Sequence, residues 1–212
     1  YLSKPALALL VCFVSAAAVE DRPRLTFQGL GQIRIGMSEA ALEKLGFSDP
    51  YRSADWQSDE EYAACHYLEN KTDYPGVGFM INDGQLVRIG VHSHEAGITW
   101  QTQSGAMIGM TEKEVAAIYG NWLQIDYHPY LGDAGSYLIL RSGDGRYKMI
   151  FETAASDADS DQSSTAPSRG PSDEKRVTDF RAGLAGPVGF IEGCSSTMVD
   201  LILHILNKYI PA

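Results

Sequence analysis

A chain of 212 residues, 44% hydrophobic and 21% charged, holds enough apolar mass for one sizeable domain or two small modules, which excludes disorder along its whole length. Its 17 Lys and Arg stand against 27 Asp and Glu, a formal net charge of −10. That charge repels phosphate backbones and anionic lipid surfaces and argues against a nucleic-acid-binding role.

Residues 1–18 read as a secretory signal peptide: a lone cation, Lys4, then the apolar run Leu7 to Val14, then Ser15-Ala16-Ala17-Ala18. The run is too short for a stable membrane anchor. Cys12 lies within it, but Val11 stands where a bacterial lipoprotein signal has a small residue. Cleavage near Ala18 removes Lys4 and no acid, leaving 16 cations against 27 acids. A periplasmic or secreted protein is expected, and in an oxidising compartment the two remaining cysteines, Cys65 and Cys194, read as one disulfide.

The next signal is an internal repeat. Ile35-Gly36-Met37-Ser38-Glu39 opens a short helix that Gly46 ends, and 73 positions later Ile108-Gly109-Met110-Thr111-Glu112 opens another that Gly120 ends. Ser38 and Thr111 are N-caps, and Glu114 completes a capping box with Thr111. Met37 and Met110 sit where they can staple onto Leu42 and Val115, and the glycines supply the left-handed terminal residue.

Strand patterns follow each helix. In the first copy they are Tyr62 to Leu68, then Val77, Phe79 and Ile81 in alternation, a tight hairpin at Asn82-Asp83-Gly84-Gln85, and Leu86 to Val91. In the second they are Tyr137 to Arg141, a turn at Ser142-Gly143-Asp144-Gly145, Tyr147 to Phe151, and Arg176 to Arg181. Residues 154–174, rich in Ser, Asp, Ala and Pro, read as a low-complexity insertion. Residues 196–210 repeat Met198, Leu201, Ile202, Ile205 and Tyr209 near helical spacing, which predicts an amphipathic C-terminal helix that packs on the repeats or pairs two copies as a dimer. The expected fold is therefore α+β: repeat 1 at 24–96, repeat 2 at 97–194, each a helix followed by an antiparallel meander, closed by the terminal helix.

The paired Ile-Gly-Met-(Ser/Thr)-Glu helix starts, each followed by a β-meander in an acidic exported chain, resemble the tandem-repeat fold of the β-lactamase inhibitor protein. A single unit also resembles the small lipoprotein of the outer-membrane β-barrel assembly machinery. The resemblance implies a protein-binding module that uses a concave sheet face or aromatic loops, and it carries over no individual inhibitory residue.

Candidate chemistry is sparse. His92 and His94 share one face of a strand end, where Glu95 or His128 could join them at zinc or copper, but no third ligand has a recognisable spacing. Asp157, Asp159 and Asp161 open like a calcium loop, yet Gln162 stands at the glycine position and Ser168 at the bidentate glutamate. Cys65 and His66 point to opposite faces of a strand, which disfavours a thiol nucleophile. Ser104-Gly105 and Gly193-Cys194-Ser195 lack the strand-elbow-helix context of an esterase. No cofactor is expected.

Aromatic residues between helix and sheet say more: Trp122, Tyr127, His128 and Tyr130 in the second copy, with Trp56 as the first copy's equivalent. Tyr and Trp on loops anchor protein interfaces, while either Trp could equally cover a sheet end. The expected function is non-catalytic binding of a protein partner, with inhibition of an envelope or extracellular enzyme as its sharpest form. A structural or assembly component of the bacterial envelope is the second reading, and an unrecognised hydrolase or metal-binding protein the third.

Overall fold

The computed structural model describes residues 22–50, 64–92, 98–155 and 170–194. The signal peptide 1–18, Trp56, His94, the Asp157–Asp161 stretch and the C-terminal helix 196–210 lie outside the described residues.

Among the described residues the fold is mostly β, and the α+β expectation of two helix–meander repeats does not hold. Its helices are short: α1 (Glu39–Glu43), α2 (Glu112–Tyr119) and α3 (Ala185–Val188). Three two-residue strands, β1 (Leu25–Thr26), β2 (Gly29–Leu30) and β3 (Ile33–Arg34), form a small antiparallel sheet. The remaining strands are β4 (Cys65–Leu68), β5 (Val77–Asn82), β6 (Gln85–Val91), β7 (Gln124–His128), β8 (Gly132–Arg141), β9 (Tyr147–Ala155) and β10 (Lys175–Leu184). They make one antiparallel seven-stranded sheet in the order β4-β5-β6-β10-β9-β8-β7. The two meanders do not stay separate, because β10 pairs with both β6 and β9 and fuses them.

The local signals that opened the helices are all in place. Ser38 Oγ accepts from Ala41 N at 3.3 Å, and Thr111 and Glu114 form the reciprocal capping box. Each glycine turn is sewn to a strand in the same way. Gly36 N donates to Leu86 O at 2.7 Å and Leu86 N to Met37 O at 2.8 Å; Gly109 N donates to Val177 O and Val177 N to Met110 O, both at 2.8 Å. The β5–β6 hairpin turns on Asp83 (φ 48°) and Gly84 (φ 70°), the pair of left-handed residues a primed turn demands.

Two boundaries move. Ala154 and Ala155, assigned above to the insertion, are the last residues of β9 and pair with Arg176 and Lys175. At the insertion's far end Ser172 N donates to Glu112 Oε2 at 2.9 Å, and Lys113 pairs with Asp173 at 2.5 Å. Glu112 is buried, its other oxygen accepting from Thr153 Oγ1 at 2.7 Å, so it fastens the first turn of α2 to the sheet.

The sheet has two different faces. Phe79, Ile89, Leu138, Phe151 and Phe180 point to one, where α1, α2 and the small sheet bury them with Leu25, Leu30, Ile33, Leu42 and Val115. The other face is partly polar, and residues 185–194 run across it as a strap. Val188 packs on Tyr137, Ile139 and Ile150, then Phe190 and Cys194 pack on Cys65, Tyr67, Met80 and Val87. Cys194 closes the strap onto β4 through a disulfide to Cys65, with Cα atoms 5.4 Å apart.

Candidate functional site: an aromatic edge over a buried ion network

The segment expected to be a loop is in fact a strand: among the described residues β7 forms the outer edge of the large sheet, paired on one side only, with β8. Pro129 follows immediately after β7, where its missing N–H interrupts no ladder. A register shift between Tyr127 and His128 then splits the neighbours. His128 turns inward and is buried, whereas Trp122, Tyr127 and Tyr130 are 80%, 55% and 64% exposed. Among the described residues the exposed large apolar side chains are these three with Leu131, Ile191 and Leu45. Tyr127 lies in β7, Trp122 in the 3-10 turn before it, Tyr130 and Leu131 just after it and Ile191 in the strap, and the Tyr130 hydroxyl donates to Glu192 Oε1 at 2.5 Å, joining the segment after β7 to the strap.

His128 holds this edge from beneath. Its Nδ1 accepts from the backbone N–H groups of Tyr130 and Leu131, both at 3.2 Å, which makes Nε2 the ring's donor, 3.3 Å from Glu152 Oε2. The Tyr137 ring meets the imidazole edge to face, with centroids 4.9 Å apart. His128 is thus a positioning residue of the aromatic edge and not an exposed contact, which corrects its expected place among the surface aromatics.

Glu152 opens a row of buried charge. Its other oxygen pairs with the Arg181 guanidinium, which also lies 3.5 Å from Asp179 and sits over the Tyr137 ring at 5.3 Å. Arg181 Nε donates to Val188 O at 2.8 Å, and Arg88 Nη1 donates to Phe190 O at 2.8 Å. Both arginines therefore clasp carbonyls of the strap. Asp179 and Glu152 are direct cross-strand partners. Burial, reinforced by the facing Glu152 carboxylate, pushes the Asp179 carboxyl up to about 7. Burial alone would raise Glu152 too, but the Arg181 guanidinium outweighs it and holds that carboxyl below the usual range. Tyr137 is pushed up to about 12, by burial first and Glu152 second.

His92 lies at the same end of β6. The residue is exposed as a whole, but its ring rests on a glycine floor: a Cβ on Gly90 would stand 2.6 Å from Nε2 and one on Gly78 3.5 Å from it. Loss of solvent around the ring, with the cations of Arg88 and Arg181, pushes its pKa down to about 4. Among the described residues no three His, Cys, Asp or Glu side chains are grouped as a metal site. Cys65 is oxidised, and His66 faces the opposite side of β4, 3.0 Å from Glu39 of α1.

A carboxyl pair shifted in opposite directions next to a histidine has the elements of acid–base chemistry. Here the strap lies over the pair, and the arginines beside it are turned to strap carbonyls. The arrangement fixes the strap and, through His128, the aromatic edge. Comparison with protein-family models, curated proteins and solved structures finds no match in any of the three. Among the described residues no helix is long and apolar enough to cross a membrane.

Proposed function

We propose that the protein is a non-catalytic binding module whose β7 edge and strap engage another protein, in its sharpest form an enzyme of the cell envelope or the extracellular space that it inhibits. The observation that carries this reading is the exposure of Trp122, Tyr127, Tyr130 and Leu131 in and on either side of the edge strand β7, with Ile191 exposed in the strap to which Tyr130 is bonded. Trp and Tyr are the residue types that dominate interface energetics. Preorganisation supports the same reading: His128 fixes the Tyr130–Leu131 backbone and Glu192 fixes the Tyr130 ring, so little side-chain freedom remains to be lost on binding. As an edge strand, β7 also presents backbone groups to a partner.

The test is site-specific photocrosslinking of the full chain in its native host. A photoreactive phenylalanine analogue at Tyr127 is expected to give one dominant protein adduct, and the same probe at exposed Asp144, in the β8–β9 turn, none. Equal adducts from both positions, or none from Tyr127, overturn the proposal. The captured protein then separates the readings: an enzyme whose activity falls on titration supports inhibition, and a structural envelope protein supports an assembly role.

A further inference from the structure

Beneath the aromatic edge a histidine takes a part that usually falls to asparagine or aspartate. The stretch His128-Pro129-Tyr130-Leu131 folds back on its own first side chain: the Tyr130 and Leu131 N–H groups both donate to His128 Nδ1 at 3.2 Å, and Pro129 has no N–H to compete with them. Asn and Asp close turns of this kind with a side-chain oxygen that accepts from backbone donors a few residues on. Histidine differs from both, because its acceptor nitrogen takes up a proton between about pH 5 and 8.

The surroundings hold the ring in place. A Cβ on Gly135 of β8 would stand 2.9 Å from His128 Cβ, so the glycine leaves the side chain its room. The Tyr137 ring of β8 meets the imidazole edge to face, and the Tyr130 ring lies on it at 6.2 Å between centroids. From β9 Glu152 stands 3.3 Å from Nε2, with Arg181 and Asp179 of β10 behind it, and from the strap Glu192 accepts from the Tyr130 hydroxyl. Asp126, on β7 opposite Tyr137, and Asp133, at the start of β8, are the nearest acids along the chain. Arg181 holds the Glu152 carboxyl below its usual range, so Glu152 keeps its charge in mildly acidic solution.

These contacts answer a proton differently. A proton taken from solvent turns Nδ1 from an acceptor into a donor that faces two N–H groups, while Nε2 keeps its bond to Glu152. Glu152 gives the imidazolium a counter-ion, and the turn gives it two opposed donors. The ring and both amides cannot then stay where they are. We propose that His128 is a pH-sensitive latch on the aromatic edge, clamping the Tyr130–Leu131 turn at neutral pH and above and releasing it on protonation in mildly acidic solution. A partner held at this edge is then let go in acid; that consequence rests on the binding surface proposed above, whereas the latch itself does not.

Nitrogen-15 NMR of the full chain reads the imidazole nitrogens and the two backbone amides in one series from about pH 4.5 to 8.5. At the alkaline end Nδ1 is expected to be the bare nitrogen, with the Tyr130 and Leu131 amides protected from hydrogen exchange. As the imidazole titrates, that protection, corrected for the intrinsic pH dependence of exchange, should fall by about tenfold or more. Asp179, held up to about 7, titrates in the same range, so Asp179→Asn must leave the response intact. His128→Asn keeps an acceptor for the turn without a titrating group and should hold both amides protected throughout. A neutral ring protonated on Nδ1, a His128 that stays neutral to the acid end, or amides that keep their protection while it titrates overturns the latch, and the unsubstituted chain alone decides these three. The same fall in His128→Asn, or its loss in Asp179→Asn, also overturns it. Photocrosslinking from Tyr127 at about pH 5.5 and pH 8 reads the binding surface separately. An adduct at the higher pH alone supports the consequence and equal adducts refute it, while no adduct at either pH removes the binding surface and leaves the latch to the NMR result.

Discussion

Asp179→Asn removes one ionisable group from the carboxyl pair on β9 and β10 while keeping its shape and a donor toward Glu152. In the fold, burial and the facing Glu152 hold the Asp179 carboxyl at about 7, against 3.8 in a free chain. Between those values the folded protein keeps a proton that the unfolded chain has already released. Stability attributable to this group is therefore complete below about pH 4 and is lost as pH rises through about 7. A gap of about three units at 1.36 kcal/mol each sets a ceiling near 4 kcal/mol. Asn removes the repulsion from the ionised Glu152 but leaves the group buried, so about half of that ceiling, roughly 2 kcal/mol, is the expected gain at about pH 8. Glu152 itself works in the opposite sense: its lowered pKa contributes stability that disappears as pH falls, and the variant retains it. Urea unfolding at several values between about pH 4 and pH 8, followed by tryptophan fluorescence, measures the difference. The Asn variant should match the parent at the acid end and exceed it progressively toward the alkaline end. Curves that remain parallel throughout, or an Asn variant that is weaker at about pH 8, refute the account of a raised Asp179 beside an ionised Glu152.

Two further outcomes follow from the packing. Replacing Cys194 with Ser releases a crosslink across 129 residues and is expected to lower stability by about 4 to 5 kcal/mol, with Cys65 becoming accessible to a thiol reagent in the folded protein as the strap lifts. A folded variant whose Cys65 stays protected would show that the arginine clasps alone hold the strap. Glu112→Ala leaves the Ser172 N–H without its acceptor and the buried Thr153 hydroxyl with Ser136 O alone, at 3.2 Å, and should cost about 1 to 2 kcal/mol, read from the denaturation midpoint. A loss under about 0.5 kcal/mol would mean that water replaces the carboxylate at no penalty.

The helix starts were legible because caps act over four residues: Ser38, Thr111 and Glu114 announce themselves in sequence and do the same work in the fold. The Asp83-Gly84 hairpin was legible for the same reason. Long-range features were not. Nothing in Arg176 to Arg181 says that β10 inserts beside β6, since alternation reports which face a residue takes and not which strand it meets. The charges at Arg88, Glu152, Asp179 and Arg181 alternate with core residues and so read as an ordinary solvated face. Their burial comes from residues 185–194, which carry no strong periodicity. Two-residue strands such as Leu25–Thr26 are too short for any pattern. The aromatic positions were legible as residue types, while the inward turn of His128 depends on a register shift that composition does not encode.

The insertion of β10 between β6 and β9 also dictates an order of events as the chain is made. From its amino end the chain can form the β5–β6 and β8–β9 hairpins as each emerges, but these remain separate ribbons with open inner edges. Only the arrival of residues 175–184 joins them, by pairing with a strand some ninety positions earlier as well as with its own neighbour. Cys194 lies ten residues beyond that strand, so its bond to Cys65 cannot close before every strand of the large sheet has been made. The one crosslink thereby ties the end of the strap to the first strand of that sheet.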